Sequence, residues 1–256
     1  MEILIMGSKG LLGAELARLG GRDGHKIFAF DKDGLDITDE AAIEEFFKTH
    51  SPKVVINCAV VSPKACEENP GRAYQVNVEG VKNLLKHKSS ALLIQFSSPA
   101  VFDGNLPLQN IQYSDSPEVG YKENDQVNAI SVYGKTKAEM EKLLNGTDNL
   151  ILRTSWVYSK TKPFGLADAP PFPLNEIGRP TYTEDIWKCI NVLWLEKLTG
   201  LFHVCGPEVM SRHEQAMRLF GNVEPYSLPK DNIRPLSIGK IYPYLVKNSV
   251  SLTKWG

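Results

Sequence analysis

Short apolar runs alternate along the first 154 residues with segments whose apolar residues recur at helical spacing. Continuous apolar runs are typical of strands buried on both faces of a parallel sheet, and helical spacing is typical of helices packed on it. The predicted strands are residues 3–6, 26–30, 53–58, 91–96 and 150–154. The predicted helices are one that carries Leu12, Leu16 and Leu19, one capped by Thr38, residues 70–88 and residues 131–144. The pattern predicts an α/β fold, a doubly wound parallel (Rossmann) sheet.

The pattern changes after residue 158. Residues 160–180 are rich in proline and glycine without a clear period, and residues 183–198 have the spacing of an amphipathic helix. Ser211 and Glu214 form a capping box that opens a short helix. We therefore expect two domains, a larger one at 1–158 and a small C-terminal lobe at 159–256 that is partly interleaved with it.

Three glycines follow the first strand directly. Gly7, Gly10 and Gly13 lie between that strand and the first helix, where backbone N–H groups can approach a pyrophosphate. Asp31 ends the second strand about 20 residues later, at the distance from the glycines where a carboxylate accepts from a ribose 2′-OH. The alternative is an ordinary strand-to-helix turn with one packing glycine. We favour the dinucleotide site because the glycines and the carboxylate occur together.

Tyr133 and Lys137 are four residues apart on a predicted helix and therefore share one face. A lysine ammonium beside a phenol lowers a pKa that is normally about 10, and such a tyrosine can protonate a carbonyl oxygen during hydride transfer. Two other tyrosines have a lysine four residues later, but prolines interrupt both contexts. The remaining alternative for Tyr133 and Lys137 is a solvated surface pair.

Composition excludes some classes of partner. The 256 residues are 42% hydrophobic and 23% charged, with a formal net charge of −1 and a pI near 6.5, so no charge excess attracts nucleic acid or an acidic membrane. No apolar stretch is long enough to span a bilayer and no signal peptide is recognisable, so we expect a cytoplasmic protein. The four cysteines lack metal-ligand spacing.

Eight stretches make the chain similar to one family. It resembles the extended short-chain dehydrogenase/reductase superfamily and, within it, the dTDP-4-dehydrorhamnose reductase family, a group that also includes the regulatory β-subunit of methionine adenosyltransferase. The matching stretches are GSKGLLG at 7–13, LDITD at 35–39, VINCA at 55–59, VFDG at 101–104, VYGKTKAEME at 132–141, LRTSWVY at 152–158, RPTYTEDI at 179–186 and LFHVCGPEVMSRHE at 201–214.

The resemblance implies an NAD(P)-dependent reductase of a nucleotide-linked 4-keto-6-deoxy sugar, of the kind used in dTDP-rhamnose and polysaccharide biosynthesis. The implied cofactor-binding residues are Gly7, Gly10, Leu11, Leu12, Gly13, Asp31, Asp36, Ile37, Val60, Val61, Ser62, Tyr133 and Lys137. Tyr133 would be the proton donor, and Lys137 would hold the nicotinamide ribose. Ser98 would bond the tyrosine and the substrate oxygen, and Trp156 would lie against the sugar. Asp31 favours NADH, and Lys9 leaves NADPH open.

The chain departs from the family pattern in three places, of which the first and the last favour a second hypothesis. Pro99 and Ala100 stand where the family has an Asp-Tyr pair, the loop at 105–128 is longer, and the segment at 159–178 is shorter. The alternative is therefore a non-catalytic NAD(P)-binding regulatory subunit. Glu15 matches a glutamate that some members use in a metal-bridged dimer, but we predict no metal. A homodimer is left open, as are the sugar and its nucleotide.

Overall fold

The computed structural model describes residues 1–106, 116–160, 172–221, 224, 227–228 and 232–254. The strands are β1 (Glu2–Met6), β2 (Lys26–Phe30), β3 (Val54–Asn57), β4 (Leu92–Ser97), β5 (Leu150–Arg153), β6 (Val157–Tyr158), β7 (Glu176–Gly178), β8 (Thr181–Tyr182), β9 (Gly200–His203), β10 (Met210–Ser211) and β11 (Asn232–Ile233). The two competing tyrosine–lysine pairs fall partly or wholly outside the described residues. Lys162, the partner of Tyr158, is outside them, and so are both members of the other pair, Tyr226 and Lys230.

The central sheet is parallel and has six strands in the order β2-β1-β3-β4-β5-β9. The order reverses between β1 and β3, where Met6 lies opposite Asn57. In such sheets the carboxyl ends of the two strands at the reversal diverge and leave a crevice for a ligand. The predicted doubly wound sheet is confirmed, and the crevice lies directly beyond Met6 and Asn57.

The helices begin and end close to the predicted positions, with two exceptions. They are α1 (Leu11–Arg22), α2 (Glu40–Thr49), α3 (Pro63–Glu68), α4 (Pro70–Tyr74), a π-helical segment (Gln75–Glu79), α5 (Gly80–His87), a 3₁₀ turn (Pro99–Val101), α6 (Val132–Leu144), α7 (Thr183–Leu195), α8 (Arg212–Phe220) and α9 (Tyr242–Lys247). The helix predicted at 70–88 is confirmed as continuous helical backbone, with the π-helical segment in its middle. The first exception is that α3 and α9 lie where no helix was predicted.

The second exception is the cap of α2. Thr38 was predicted to cap this helix, but Asp39 is the cap and accepts a hydrogen bond from Ala42 N at 3.0 Å. The Thr38 hydroxyl instead donates to the Asp36 carboxylate at 2.8 Å. Asp36 is thereby fixed just before α2.

The core of the sheet consists of the apolar strand residues and the inner faces of the helices. Leu4 and Val55 are fully buried, as are Leu84 of α5 and Met140 of α6. These contacts join β1, β3, α5 and α6 into one packed cluster. The helix that carries Tyr133 and Lys137 is therefore anchored on a rigid scaffold.

Contacts divide the chain into two compact units that alternate along the sequence. The first is residues 1–101, 129–152 and 198–201, and the second is residues 102–128, 153–197 and 202–256. That residues 1–158 bind the cofactor and residues 159–256 bind the substrate stays a prediction. Among the described residues, no helix has the length and apolarity to cross a bilayer.

Candidate active site

The glycine turn after β1 is packed so closely that side chains have no room. Gly7 has a positive φ of 74°, and a Cβ atom there would lie 2.7 Å from the backbone nitrogen of Ala59. A Cβ atom at Gly13 would lie 2.3 Å from the carbonyl oxygen of Gly7. Gly10 caps α1 without a side-chain hydrogen bond. The first N–H groups of this helix therefore have no side-chain cap, as in helices that bind a phosphate at their N-terminus.

A cleft of about 330 Å³ lies at the carboxyl ends of β1 and β3. Its lining includes seven of the predicted cofactor-binding residues, namely Gly7, Gly10, Asp31, Asp36, Ile37, Val60 and Val61. The other six predicted residues lie outside the lining. Leu11, Leu12 and Gly13 are the first residues of α1, Ser62 caps α3, and Tyr133 and Lys137 are on α6. The glycine turn and the two carboxylates beside one cleft fit a dinucleotide, whose phosphates need close backbone approach and whose ribose needs an acceptor.

Each of the two carboxylates that line this cleft, Asp31 and Asp36, lies beside a cationic side chain. The ammonium of Lys9 forms an ion pair with Asp31 and another, at 2.9 Å, with Asp33. The hydrogen bond from Lys9 lowers the pKa of Asp31 below its usual range. The Nη2 atom of Arg72 lies 3.5 Å from the Oδ2 atom of Asp36. A cation beside each lining carboxylate weakens the repulsion that a 2′-phosphate would meet.

Tyr133, Lys137 and Ser98 come together at the carboxyl end of β4. Ser131 caps α6 by accepting from Gly134 N at 3.0 Å, so Tyr133 lies in the first turn. The Ser98 hydroxyl lies near enough to the Tyr133 hydroxyl to lower its pKa. Lys137 Nζ lies 5.7 Å from the centre of the tyrosine ring and donates to the carbonyl oxygen of Phe96 at 3.0 Å.

The pKa of Tyr133 differs from the sequence-based expectation. Burial of the hydroxyl raises the pKa of Tyr133 to about 12, although the hydrogen bond with Ser98 opposes this effect. Burial lowers the pKa of Lys137 to about 8, and the charge of Glu141 opposes that effect. The expectation that Lys137 lowers the pKa of Tyr133 is therefore wrong in this structure. The tyrosine hydroxyl is therefore protonated at neutral pH, and the lysine is the group whose pKa lies near it.

Sequence reasoning missed Asn77, which joins the cofactor cleft to α6. Its side-chain oxygen accepts from Val61 N at 2.9 Å, and its amide donates to Thr136 Oγ1 at 3.0 Å. The Thr136 hydroxyl donates in turn to the carbonyl oxygen of Tyr133 at 2.8 Å. Asn77 lies in the π-helical segment, and such segments are frequent at functional sites. The sequence signal that could have indicated Asn77 is a polar residue between two valines, Val76 and Val78, in the middle of a predicted helix.

The two remaining predicted positions have contacts of their own. Trp156, in the second unit, packs against Arg212, whose guanidinium carbon lies 3.9 Å from the indole centre. Glu15 is buried and accepts from Arg18 at 2.8 Å. In the part of the chain that is described, no group of three or more His, Cys, Asp or Glu residues could hold a metal ion.

Comparison with known proteins identifies the family. The model of the RmlD substrate binding domain matches residues 1–166. The chain belongs to this family. The dTDP-4-dehydrorhamnose reductase of Aggregatibacter actinomycetemcomitans is 32% identical over 243 residues, which cover 86% of this chain and 78% of the relative. The crystal structure of dTDP-4-dehydrorhamnose reductase from Bacillus anthracis in complex with NADP has a TM-score of 0.80 at 27% identity and covers 99% of this chain and 94% of that one.

A subunit of a different enzyme is also among the relatives of this RmlD-family chain. Methionine adenosyltransferase 2 subunit beta of Bos taurus is 26% identical over 270 residues, covering 92% of this chain and 75% of the relative. The relatives therefore include proteins named as reductases and a protein named as a subunit of an adenosyltransferase. The resemblance stated from the motifs is confirmed.

The pH profile of this RmlD-family site should follow Lys137. Because burial lowers its pKa to about 8, the ammonium is present at neutral pH and is lost as the pH rises through that value. We expect turnover at saturating cofactor to fall above a pH of about 8. Glu141 raises the pKa of Lys137, so Glu141→Gln should move the fall to lower pH. Steady-state profiles of both proteins check this; coincident profiles would contradict it.

Proposed function

We propose that this chain is an NAD(P)H-dependent reductase of a nucleotide-linked 4-keto-6-deoxy sugar, similar to dTDP-4-dehydrorhamnose reductase. The observation that carries the proposal is the convergence of Ser98, Tyr133 and Lys137 at the end of β4. The dinucleotide-shaped cleft lies in the same unit, at the reversal of the sheet. A neutral phenol and a buried ammonium beside a cofactor cleft suit reduction of a carbonyl group.

Each residue has a defined task in this proposal. A bound nicotinamide supplies the hydride that reduces the carbonyl carbon. Gly7 and Gly10 give the pyrophosphate access to backbone, and Asp31 accepts from the adenosine ribose. The Tyr133 hydroxyl donates its proton to the carbonyl oxygen, while Ser98 stabilises the phenolate that forms. The ammonium of Lys137 donates to the hydroxyl groups of the nicotinamide ribose and so holds the ring in place.

Cofactor choice should depend on Asp31. We expect the wild type to use both NADH and NADPH, because Lys9 partly neutralises this carboxylate. Asp31→Ala removes the ribose acceptor and leaves Lys9 available to the 2′-phosphate. The kcat/KM for NADPH divided by the kcat/KM for NADH should therefore rise about tenfold, which corresponds to about 1.4 kcal/mol.

Asp33→Ala is the matched control for this change. Asp33 also pairs with Lys9, but it does not line the cleft. We expect the control to change the cofactor ratio much less than Asp31→Ala does. Equal ratios in the wild type and Asp31→Ala would show that the carboxylate does not meet the ribose.

A specific observation keeps the regulatory alternative in place. Pro99 and Ala100 form a 3₁₀ turn, and neither side chain can offer a substrate the carboxylate and phenol that the family pattern has there. A non-catalytic NAD(P)-binding subunit, resembling the methionine adenosyltransferase β-subunit, would not need those groups. The cytoplasmic location stays a prediction, and whether the protein forms a homodimer stays open.

One assay separates the two functions. The purified protein is mixed with NADH or NADPH, and absorbance is followed as dTDP- and UDP-linked 4-keto-6-deoxy sugars are added singly. Oxidation with one of them, and not with the corresponding 4-hydroxy sugar, is expected for the reductase. Tight dinucleotide binding without oxidation by any sugar would favour the regulatory subunit and direct the search to a protein partner.

A further inference from the structure

Two amide side chains, Asn57 and Gln95, lie where the preceding positions of both strands are apolar. They are directly opposite each other on the neighbouring strands β3 and β4, and each is 1% exposed. The preceding pairs in this register consist of valine, isoleucine and leucine. Burial of an amide costs free energy unless its donors and acceptors are satisfied, so an apolar pair would complete the core at lower cost. Packing alone therefore does not account for this pair.

Backbone groups at the two ends fix the orientation of both amides. Asn57 Oδ1 accepts a hydrogen bond from Ala59 N at 3.0 Å, so Nδ2 is the atom that donates to Gln95 Oε1, at 2.7 Å. Gln95 Nε2 in turn donates to the carbonyl oxygen of Phe96 at 3.2 Å. A backbone N–H can only donate and a backbone carbonyl can only accept, so the reverse orientation of either amide would break a hydrogen bond. The two amides therefore form a directed chain of hydrogen bonds from Ala59 to Phe96.

Both ends of this chain of hydrogen bonds belong to the candidate active site. Ala59 lines the cofactor cleft, and its backbone nitrogen is the atom that a Cβ atom at Gly7 would meet at 2.7 Å. The Phe96 carbonyl oxygen has two lone pairs, and it accepts from Lys137 Nζ at 3.0 Å as well as from Gln95. One of the three N–H donors of the ammonium is thereby directed at β4, and a ribose offers two hydroxyl groups to the others. The position of the ammonium therefore depends on the position of this carbonyl group.

We infer that Gln95 is a positioning residue for Lys137. By donating to the Phe96 carbonyl, Gln95 holds the acceptor that anchors the ammonium, and Asn57 holds Gln95 in the orientation that can donate. Gln95 does not line the cleft, so it acts on the cofactor only through Lys137. The ligand group concerned is the nicotinamide ribose, an assignment that rests on the proposed function. The adenine half of the dinucleotide does not depend on this contact.

Equilibrium binding tests the inference without turnover. Dissociation constants are measured by calorimetry for NADH, which carries the nicotinamide ribose, and for ADP, which carries only the adenosine and the pyrophosphate. Gln95→Glu has nearly the same shape and still accepts from Asn57, but an ionised carboxylate cannot donate to the Phe96 carbonyl. Gln95→Met removes the donor without adding a charge. Both variants should weaken NADH binding about tenfold, equivalent to about 1.4 kcal/mol, the order of one hydrogen bond to a charged group, and leave ADP binding unchanged.

Asn149→Ala is the matched control, because Asn149 is also a buried amide bound to β4. Its side-chain oxygen accepts from Leu93 N at 3.0 Å, near the opposite end of that strand. The control should lower the free energy of unfolding in denaturant and bind both ligands as the wild type does. Equal weakening of NADH and ADP by the Gln95 variants, or no weakening of NADH, would overturn the inference. Selective weakening in a protein that reduces no sugar would uphold the inference while the proposed reductase activity fails.

Discussion

Tyr133→Phe should abolish sugar reduction while leaving dinucleotide binding intact. The substitution keeps the ring on α6 and removes only the hydroxyl, which lies beside Ser98. Loss of a general acid lowers the rate by about 10³-fold. Turnover with the best sugar of the panel gives the rate, and fluorescence titration with NADH and NADPH gives the dissociation constants.

Tyr74→Phe is the control for this variant. Tyr74 belongs to the same unit, but its side chain is exposed and lies outside the cleft lining. We expect wild-type turnover from the control. A Tyr133→Phe protein that retains more than about a tenth of the wild-type rate would show that another group supplies the proton.

Gly13→Ala should have the second-largest effect. The new Cβ atom would lie 2.3 Å from the carbonyl oxygen of Gly7, and backbone has to move to accept it. Overpacking of this kind destabilises a protein by about 1–3 kcal/mol. Because the displaced carbonyl belongs to the turn that approaches the pyrophosphate, dinucleotide binding should weaken as well. Denaturant unfolding and cofactor titration measure the two effects.

The same helix provides a control with the opposite sign. A Cβ atom at Gly21 would have no neighbour within 4 Å. Gly21→Ala should therefore stabilise α1 by about 0.5 kcal/mol, since alanine loses less backbone entropy in a helix. If Gly13→Ala were as stable as Gly21→Ala and bound the cofactor normally, the close packing of the turn would have no role in the site.

Local chemistry made much of the fold and the cofactor site predictable. Continuous apolar runs specified the parallel strands, and the Gly7 turn followed by Asp31 specified the cleft, because each signal lies within a short stretch of chain. Tyr133 and Lys137 were recognisable for the same reason, since they occupy successive turns of one helix.

Features that depend on distant partners were not predictable. The π-helical segment exists where Asn77 bonds both Val61 and Thr136, and neither partner is near it in sequence. The pKa of Tyr133 depends on how deeply its hydroxyl is buried, which the neighbouring lysine does not reveal. The contact between Arg212 and the Trp156 ring was also missed, because the two residues are 56 positions apart in the sequence.

The most direct test of the central claim is the fate of a labelled hydride. NADH or NADPH carrying deuterium on the transferring carbon is incubated with the protein and the active 4-keto-6-deoxy sugar, and the product is analysed by mass spectrometry and NMR. The account predicts one deuterium on the former carbonyl carbon in the wild type and a near-complete loss of this product in Tyr133→Phe. A wild-type product without deuterium at that carbon would contradict it.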